Sequence, residues 1–187
     1  MKTPEVIFVI CIACLFYTYV LFPIIMRTIS RNRKFNHDQY KQQEIPSISV
    51  IMPAYNEEEV IEEKLNSILD LNIDHNKLQL LVGSDNSTDK TNHIVKKWIE
   101  KNSWCELVVF ESRTGKVEIL NQLIPKAKYD ILILTDANVM FDSDLAYHLV
   151  KHFKEETIGI VGANFVNKGF KDDGISHQEG QYIPVSY

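Results

Sequence analysis

The sequence predicts an α/β domain with a largely parallel sheet, preceded by one transmembrane helix. Three observations carry this. Short apolar runs bounded by polar loops alternate with stretches whose apolar residues recur at three and four, the pattern of strands joined by crossover helices. The run Ile131-Leu132-Ile133-Leu134 is uninterrupted and delivers a carboxylate, Asp136, beyond its C-terminal end, where ligands bind in open parallel sheets. From Val6 to Met26 no residue is charged, and 21 residues at about 1.5 Å each give roughly 31 Å, enough to cross a hydrocarbon core.

The apolar run exceeds the roughly 7–15 residues of a signal-peptide core, and no small-x-small cleavage site follows it, so it reads as a membrane anchor. The basic cluster Arg27, Arg31, Arg33 and Lys34 behind it places the rest of a single-pass protein in the cytoplasm by the positive-inside rule. Residues 1–34 then form the anchor and residues 35–46, polar and closed by Pro46, a linker. The domain proper is expected at 47–166.

Within it, Ile48–Met52 reads as a buried strand. Asn56, followed by three glutamates, reads as the N-cap of a helix whose apolar face is Val60, Ile61, Leu65, Ile68 and Leu69. Leu78–Val82 is a second strand, and Ser87–Asp89 caps a helix with Ile94, Val95, Trp98 and Ile99 inside. Leu107–Phe110 is a third strand. A helix from about Lys116 carries Val117, Leu120 and Leu123, and Pro125 must end or kink it. Ile131–Leu134 is expected as a buried strand. A helix capped near Ser143, with Leu145, Leu149 and Phe153 inward, leads to a fifth strand at Ile158–Ala163. Asn167–Tyr187 has three glycines and no period, so it reads as a loop or as an element cut off from its partners.

Charge narrows the function. The net charge is −5, but residues 1–34 hold five bases and one acid, leaving 15 basic and 24 acidic residues, or −9, for the remainder. A domain that acidic has no electrostatic footprint for nucleic acid, and an anionic ligand needs a metal, a helix N-terminus or a well-placed cation. Cys11 and Cys14 spell C-x-x-C but lie in the membrane run, outside the βαβ context of a redox motif, and with Cys105 they make no disulfide framework.

Three strand ends converge on one edge: Pro53-Ala54-Tyr55-Asn56, Gly83-Ser84-Asp85-Asn86-Ser87-Thr88-Asp89, and Thr135-Asp136-Ala137-Asn138. Here the chain resembles the inverting glycosyltransferases of family 2, with the Rossmann-like GT-A fold of nucleotide-diphospho-sugar transferases. PAYNEE resembles the opening P-x-Y-N-E motif, and GSDNSTDKT the D-G-S-T-D motif. GKVEILNQ resembles the G-K-x-x-A-L-N segment, and TDAN followed by FDSDL the D-x-D region. The resemblance covers about residues 47–165. Tyr17-x-Tyr19 and Pro23 are similar to the anchor preceding this domain in some members.

The resemblance implies a membrane-associated transferase of polysaccharide biosynthesis that binds a nucleotide-diphospho-sugar donor, a UDP-sugar foremost. Pro53, Ala54, Tyr55 and Glu57 would border the nucleoside, and Asp85 would accept a hydrogen bond from the base. Asp136 and Asn138 would hold Mg²⁺ or Mn²⁺ and the diphosphate, oxygen ligands suited to a hard cation that keeps waters and substrate phosphates. Lys116, after Gly115 at a helix start, is a second place to meet phosphate charge.

Bland alternatives stand beside these roles. Asp85, Asp89 and Asp136 are also residue types that cap helices and turns. Tyr55 could simply pack, and Lys116 could be a solvated helix start. His148 and His152 are spaced for a metal, yet fall off the apolar face of their helix, and Asn86-Ser87-Thr88 is a glycosylation sequon that a cytoplasmic domain never uses. Two departures from the family pattern matter. Asn138 stands where many members have a second acid. The family's acceptor site, general base and Q-x-x-R-W type motif also lack counterparts, so no catalytic base is assigned. A non-catalytic nucleotide-sugar-binding remnant or scaffold is the rival reading, with a protein partner covering apolar surface near Ile158–Phe165. A Rossmann dehydrogenase is disfavoured because no G-x-G-x-x-G follows the first strand.

Overall fold

The computed structural model describes residues 3–30 and 38–163, so Arg31, Arg33, Lys34 and the tail Asn167–Tyr187 lie outside the described residues. The chain divides into two compact units, Met1–Asp38 and Gln39–Tyr187.

In the first unit, helices α1 (Thr3–Phe16) and α2 (Phe22–Ser30) join through a π-helical turn, Tyr17–Leu21, closed by the Phe22 N–H donating to the Tyr17 carbonyl. Pro23 accounts for the widened turn: it has no N–H for the Tyr19 carbonyl, and its ring crowds that oxygen. Thr18 Oγ1 donates to the Cys14 carbonyl at 2.9 Å, keeping its hydroxyl satisfied along an apolar surface. The continuous stretch Thr3–Ile29, 27 residues, is long and apolar enough to cross a membrane, and no α1 side chain is buried in protein.

Among the described residues, the second unit is a sheet of four parallel strands flanked by helices. In chain order these are β1 (Ile48–Ala54), α3 (Ile61–Leu69), β2 (Leu78–Ser84), α4 (Thr91–Ile99), β3 (Cys105–Val109), α5 (Lys116–Leu123), β4 (Ile131–Leu134) and α6 (Leu145–Val150). The strand order is β3-β2-β1-β4, with Val50 opposite both Leu80 and Ile133, and Leu80 opposite Cys105. Period-2 alternation sorts the strand residues between two layers. Ile48, Val50, Met52, Leu80 and Val82 face a core completed by Ile61, Leu65 and Ile68 of α3, Val95 of α4, and Ala146 and Val150 of α6. Ile51 and Leu81 face Ile119 and Leu123 of α5 on the other side. On that side Ser49 Oγ donates to Gln79 Oε1 at 2.7 Å, Gln79 Nε2 to the Lys126 carbonyl at 3.3 Å, and the Lys128 N–H back to Gln79 Oε1 at 2.7 Å. This buried, satisfied pair holds the chain as it turns at Pro125 from α5 into β4.

Four expectations are corrected. Asn56 does not cap α3. It adopts φ 52°, its side chain is committed to the next loop, and the helix starts at Ile61 behind a turn in which the Val60 and Ile61 N–H groups donate to the Glu57 carbonyl at 3.0 and 2.9 Å. β4 is not fully buried: among the described residues it pairs only with β1, and Leu134 is 53% exposed. α6 buries Ala146 and Val150, whereas Leu145 and Leu149 are only partly covered and Phe153 falls in the 3-10 turn Lys151–Lys154 that continues it. Ile158–Ala163 forms no strand. It carries two glycines, has no ladder partner among the described residues, and leaves Ile160 91% exposed.

α5 approaches the sheet closely because β2 presents Gly83. A Cβ there would lie 2.4 Å from Ile119 Cγ2 and 2.8 Å from Leu123 Cδ1. Gly83→Ala is therefore expected to destabilise the domain by about 1–3 kcal/mol through overpacking, measured as a lowered denaturation midpoint at unchanged slope.

Candidate functional site

Because β1, β2 and β4 run parallel, the loops that follow them share one edge, and the first two are stitched together. The Thr88 N–H donates to Asn56 Oδ1 (2.8 Å), the Asn56 N–H to Ser87 Oγ (3.1 Å), and the Glu57 N–H to Thr91 Oγ1 (2.9 Å). The Glu58 N–H donates to Asp89 Oδ2 (3.0 Å), and the Lys90 N–H returns to Glu58 Oε2 (3.0 Å). Asn56 and Asn86 both hold left-handed backbone, φ 52° and 56°, which asparagine tolerates better than most residues. Asn86 thereby occupies the place of the glycine in the D-G-S-T-D pattern.

Asp89 does not cap α4, whose N-cap is Lys90; it lies one residue earlier and staples the two loops, accepting from the Thr91 N–H (2.9 Å) and Thr91 Oγ1 (2.6 Å) as well as the Glu58 N–H. Burial acts to raise its carboxyl, but the hydrogen bonds from Thr91 and Glu58 outweigh it and hold the group below the ordinary carboxylate range. Asp85, 4% exposed, accepts from the Thr114 N–H (2.6 Å), Thr114 Oγ1 (3.1 Å) and the Gly115 N–H (3.1 Å), and Arg113 Nε lies 3.7 Å from its Oδ2. Burial again pushes its carboxyl up, and the Thr114, Gly115 and Arg113 contacts together bring it below the usual value. Gly115, at φ 84°, is the turn that brings this N–H to Asp85 just ahead of α5. Arg113 also stacks its guanidinium 3.7 Å from the centre of the Tyr55 ring.

The third loop continues the alternation of its strand. Thr135 and Ala137 are buried, whereas Asp136 and Asn138 are exposed on one side. Lys116 Nζ lies 2.5 Å from Asp136 Oδ1 across the cleft. Glu57 is partly buried beside these acids, and burial, then Asp136, then Asp89 raise its carboxyl.

All eight residues expected from the sequence, Pro53, Ala54, Tyr55, Glu57, Asp85, Lys116, Asp136 and Asn138, line one cavity of about 250 Å³ together with Arg113, Ile119 and Ala137. Among the described residues no group of three or more His, Cys, Asp or Glu is placed to hold a metal. The donor set nonetheless fits a hard divalent cation. Asp136 and Asn138 offer one carboxylate and one amide oxygen from the same exposed side, and Mg²⁺ or Mn²⁺ takes its remaining ligands from water and phosphate. His148 is exposed and stands against Tyr147, apart from this cavity.

Two residues escaped the sequence reading. Arg113 gave no signal, since only the fold lays it on Tyr55. Lys64 did give one: it stands within the apolar stripe Ile61, Leu65, Ile68, and it is completely buried. Its Nζ donates to Thr135 Oγ1 at 3.0 Å and to the Val139 carbonyl, and stands over the Phe141 ring. Burial lowers its pKa to about 7, opposed by the nearby Asp136 charge.

Comparison with known proteins fits this geometry. The profile described as Glycosyl transferase family 2 matches residues 49–185. The chain belongs to glycosyl transferase family 2. It is 33% identical over 122 residues to a poly-beta-1,6-N-acetyl-D-glucosamine synthase of Staphylococcus aureus, a match covering 65% of this chain and 29% of the relative. The corresponding synthase of Staphylococcus epidermidis is 29% identical over 125 residues, covering 66% and 30%. The chain thus spans less than a third of these relatives' length. Among solved structures, the mannosyltransferase PcManGT from Pyrobaculum calidifontis, in complex with GDP-Man and Mn²⁺, superposes with a TM-score of 0.70 at 28% identity, covering 80% of this chain and 44% of that one. S. aureus TarS 1-349 in complex with UDP-GlcNAc gives 0.50 at 27%, covering 52% and 28%. The family accounts for the parallel sheet and for the order of the motifs along its edge.

Asp89→Ala should cost about 1.5–3 kcal/mol at neutral pH, through the loss of the hydrogen bonds its carboxylate accepts from Thr91 and Glu58. Because the folded-state pKa of Asp89 is depressed, its contribution is present above the unfolded carboxylate value of about 3.9 and disappears as the pH falls through the lower folded value. The difference between wild type and variant should therefore shrink toward zero in acid, as read from urea unfolding at a series of pH values.

Proposed function

We propose that this chain is the donor-binding portion of a membrane-anchored glycosyltransferase that moves a sugar from a nucleotide diphosphate to an acceptor hydroxyl with inversion. The observation that carries this is that Asp136 and Asn138 line the same cavity as Tyr55 and Asp85. Tyr55 supplies an aromatic face for a base and Asp85 an acceptor for its ring N–H. Asp136 and Asn138 would hold a divalent metal, which would supply positive charge to neutralise the departing diphosphate. Lys116 exchanges its ion pair with Asp136 for phosphate oxygens. In the transfer itself the acceptor oxygen attacks the anomeric carbon, the bond to the diphosphate breaks with its electron pair leaving on phosphate, and the acceptor proton passes to a base to which no residue is assigned.

A UDP-sugar is the donor we favour. Two relatives support it, one named for an N-acetylglucosamine polymer and one holding UDP-GlcNAc. The GDP-Man and Mn²⁺ of the mannosyltransferase support a metal-assisted diphosphate. The division into an anchor through residue 34, a linker at 35–46, a donor-binding domain at 47–166 and a distinct segment at 167–187 belongs to this proposal, as does a cytoplasmic domain.

UDP is expected to bind more tightly with Mg²⁺ or Mn²⁺ than with chelator, and Asp136→Ala to remove most of that gain. Asp85→Ala should weaken binding with and without metal, since it loses both the base contact and the Thr114–Gly115 turn. Calorimetry showing equal affinity with chelator and with metal would refute the role given to Asp136. Reporter fusions placed after Lys34 and at the C-terminus are expected to score as cytoplasmic, and export of both would reverse the topology.

A further inference from the structure

The sequence puts a lysine where the amphipathic pattern of α3 asks for an apolar residue, and the fold buries it completely. Burying an ammonium is costly unless its hydrogens are met. Here one is met by Thr135 Oγ1 at 3.0 Å and one by the Val139 carbonyl, and the Phe141 ring centre lies 3.3 Å from Nζ. The same turn of helix grips the segment again one turn later: Ser67 Oγ donates to the Lys64 carbonyl at 2.8 Å and accepts from the Phe141 N–H at 3.1 Å. Thr135 and Val139 bracket Asp136 and Asn138. Lys64 therefore ties both ends of the acidic loop from its buried side, while Asp136 and Asn138 line the cavity on the other.

We propose that Lys64 is a positioning residue for the donor site: by joining Thr135 to Val139 it sets the curvature of the loop that carries Asp136 and Asn138 and keeps their oxygens convergent. This rests on the reading of Asp136 and Asn138 as metal and diphosphate ligands. Lys64 lines no part of the cavity and touches no substrate. Its effect passes through the loop, as outer partners of metal ligands act, where removal typically costs about 10–100-fold in metal affinity. A residue that merely filled space could be replaced by methionine, which has a similar length and no charge to desolvate.

The test is calorimetry of UDP with and without Mn²⁺ on the 187-residue chain in detergent, comparing wild type, Lys64→Met, Thr135→Val and Ile68→Val. Lys64→Met leaves the Val139 carbonyl without its donor and is expected to melt no higher than Ile68→Val, yet to lose about tenfold or more of the Mn²⁺-dependent gain in UDP affinity. UDP affinity in chelator should stay unchanged. Ile68→Val, a buried change in the same helix, should lower the melting temperature and leave the gain intact. Should Lys64→Met fail to fold, Thr135→Val decides, since it removes one anchoring oxygen at nearly constant volume. A diminished gain supports the positioning role, and an undiminished one overturns it. An equal loss in Ile68→Val would also overturn the proposal, by tracing the effect to general destabilisation. A wild-type chain with no Mn²⁺-dependent gain refutes the donor reading and this inference with it, whereas a wild-type gain preserved in Lys64→Met overturns the inference alone.

Discussion

The site depends on the parallel direction of the strands. When β1, β2 and β4 all run the same way, the loops that leave them must begin at one edge, and their backbone polar groups need partners there. The structure meets that need by making the loops partners of one another. Asn56, Ser87, Asp89, Thr91 and Glu58 exchange hydrogen bonds between the first two loops, and Asp85 does the same for the turn before α5. The wall of the cavity that carries Tyr55 is therefore rigid because it is cross-linked, although little of it is helix or strand.

Charge is the second constraint. A domain of net −9 beyond residue 34 gathers Glu57, Asp85 and Asp136 around one cleft, with Asp89 near Glu57, and the acids are answered differently. N–H and O–H donors hold the carboxyls of Asp85 and Asp89 below the ordinary range, which makes them anionic supports of the scaffold. Asp136 is met by Lys116 at the surface, a contact that a cation or phosphate can replace. The Glu57 side chain accepts from no such donor among the described residues, and burial first, then Asp136 and Asp89, raises its carboxyl. The cleft thus separates fixed structural carboxylates from one exchangeable carboxylate, which is what an acidic domain needs if it is to accept an anionic ligand through a metal.

The N-terminal helical unit follows a different logic. From Val6 to Met26 it carries no charged residue, and the irregularity it contains, the π-turn at Tyr17–Leu21, falls where Pro23 removes a helix hydrogen bond. Within that turn Thr18 returns its hydroxyl to the backbone, donating to the Cys14 carbonyl.

The sequence by itself determined the four strands and the helices between them, and its resemblance to family 2 picked out the eight residues that came to line one cavity. The strands and helices are local: an apolar run of the right length and a period of two or of three and four are properties of consecutive residues. Even Lys64 was marked by its place in an apolar stripe, although nothing in the sequence named its partners. What only the tertiary structure decided were the pairings across loops. Asn56 looked like a cap because Asn before glutamates favours one, but contact with Thr88 bent it into left-handed backbone instead. Arg113 was an unremarked loop residue until the fold set it on Tyr55. β4 read as buried because its four residues are apolar on both faces, but among the described residues it pairs only with β1, and Ile158–Ala163, expected as a fifth strand, carries two glycines and has no described ladder partner. A strand's burial depends on what lies beside it, and pairings between residues 30 to 80 positions apart leave no periodic trace in either partner.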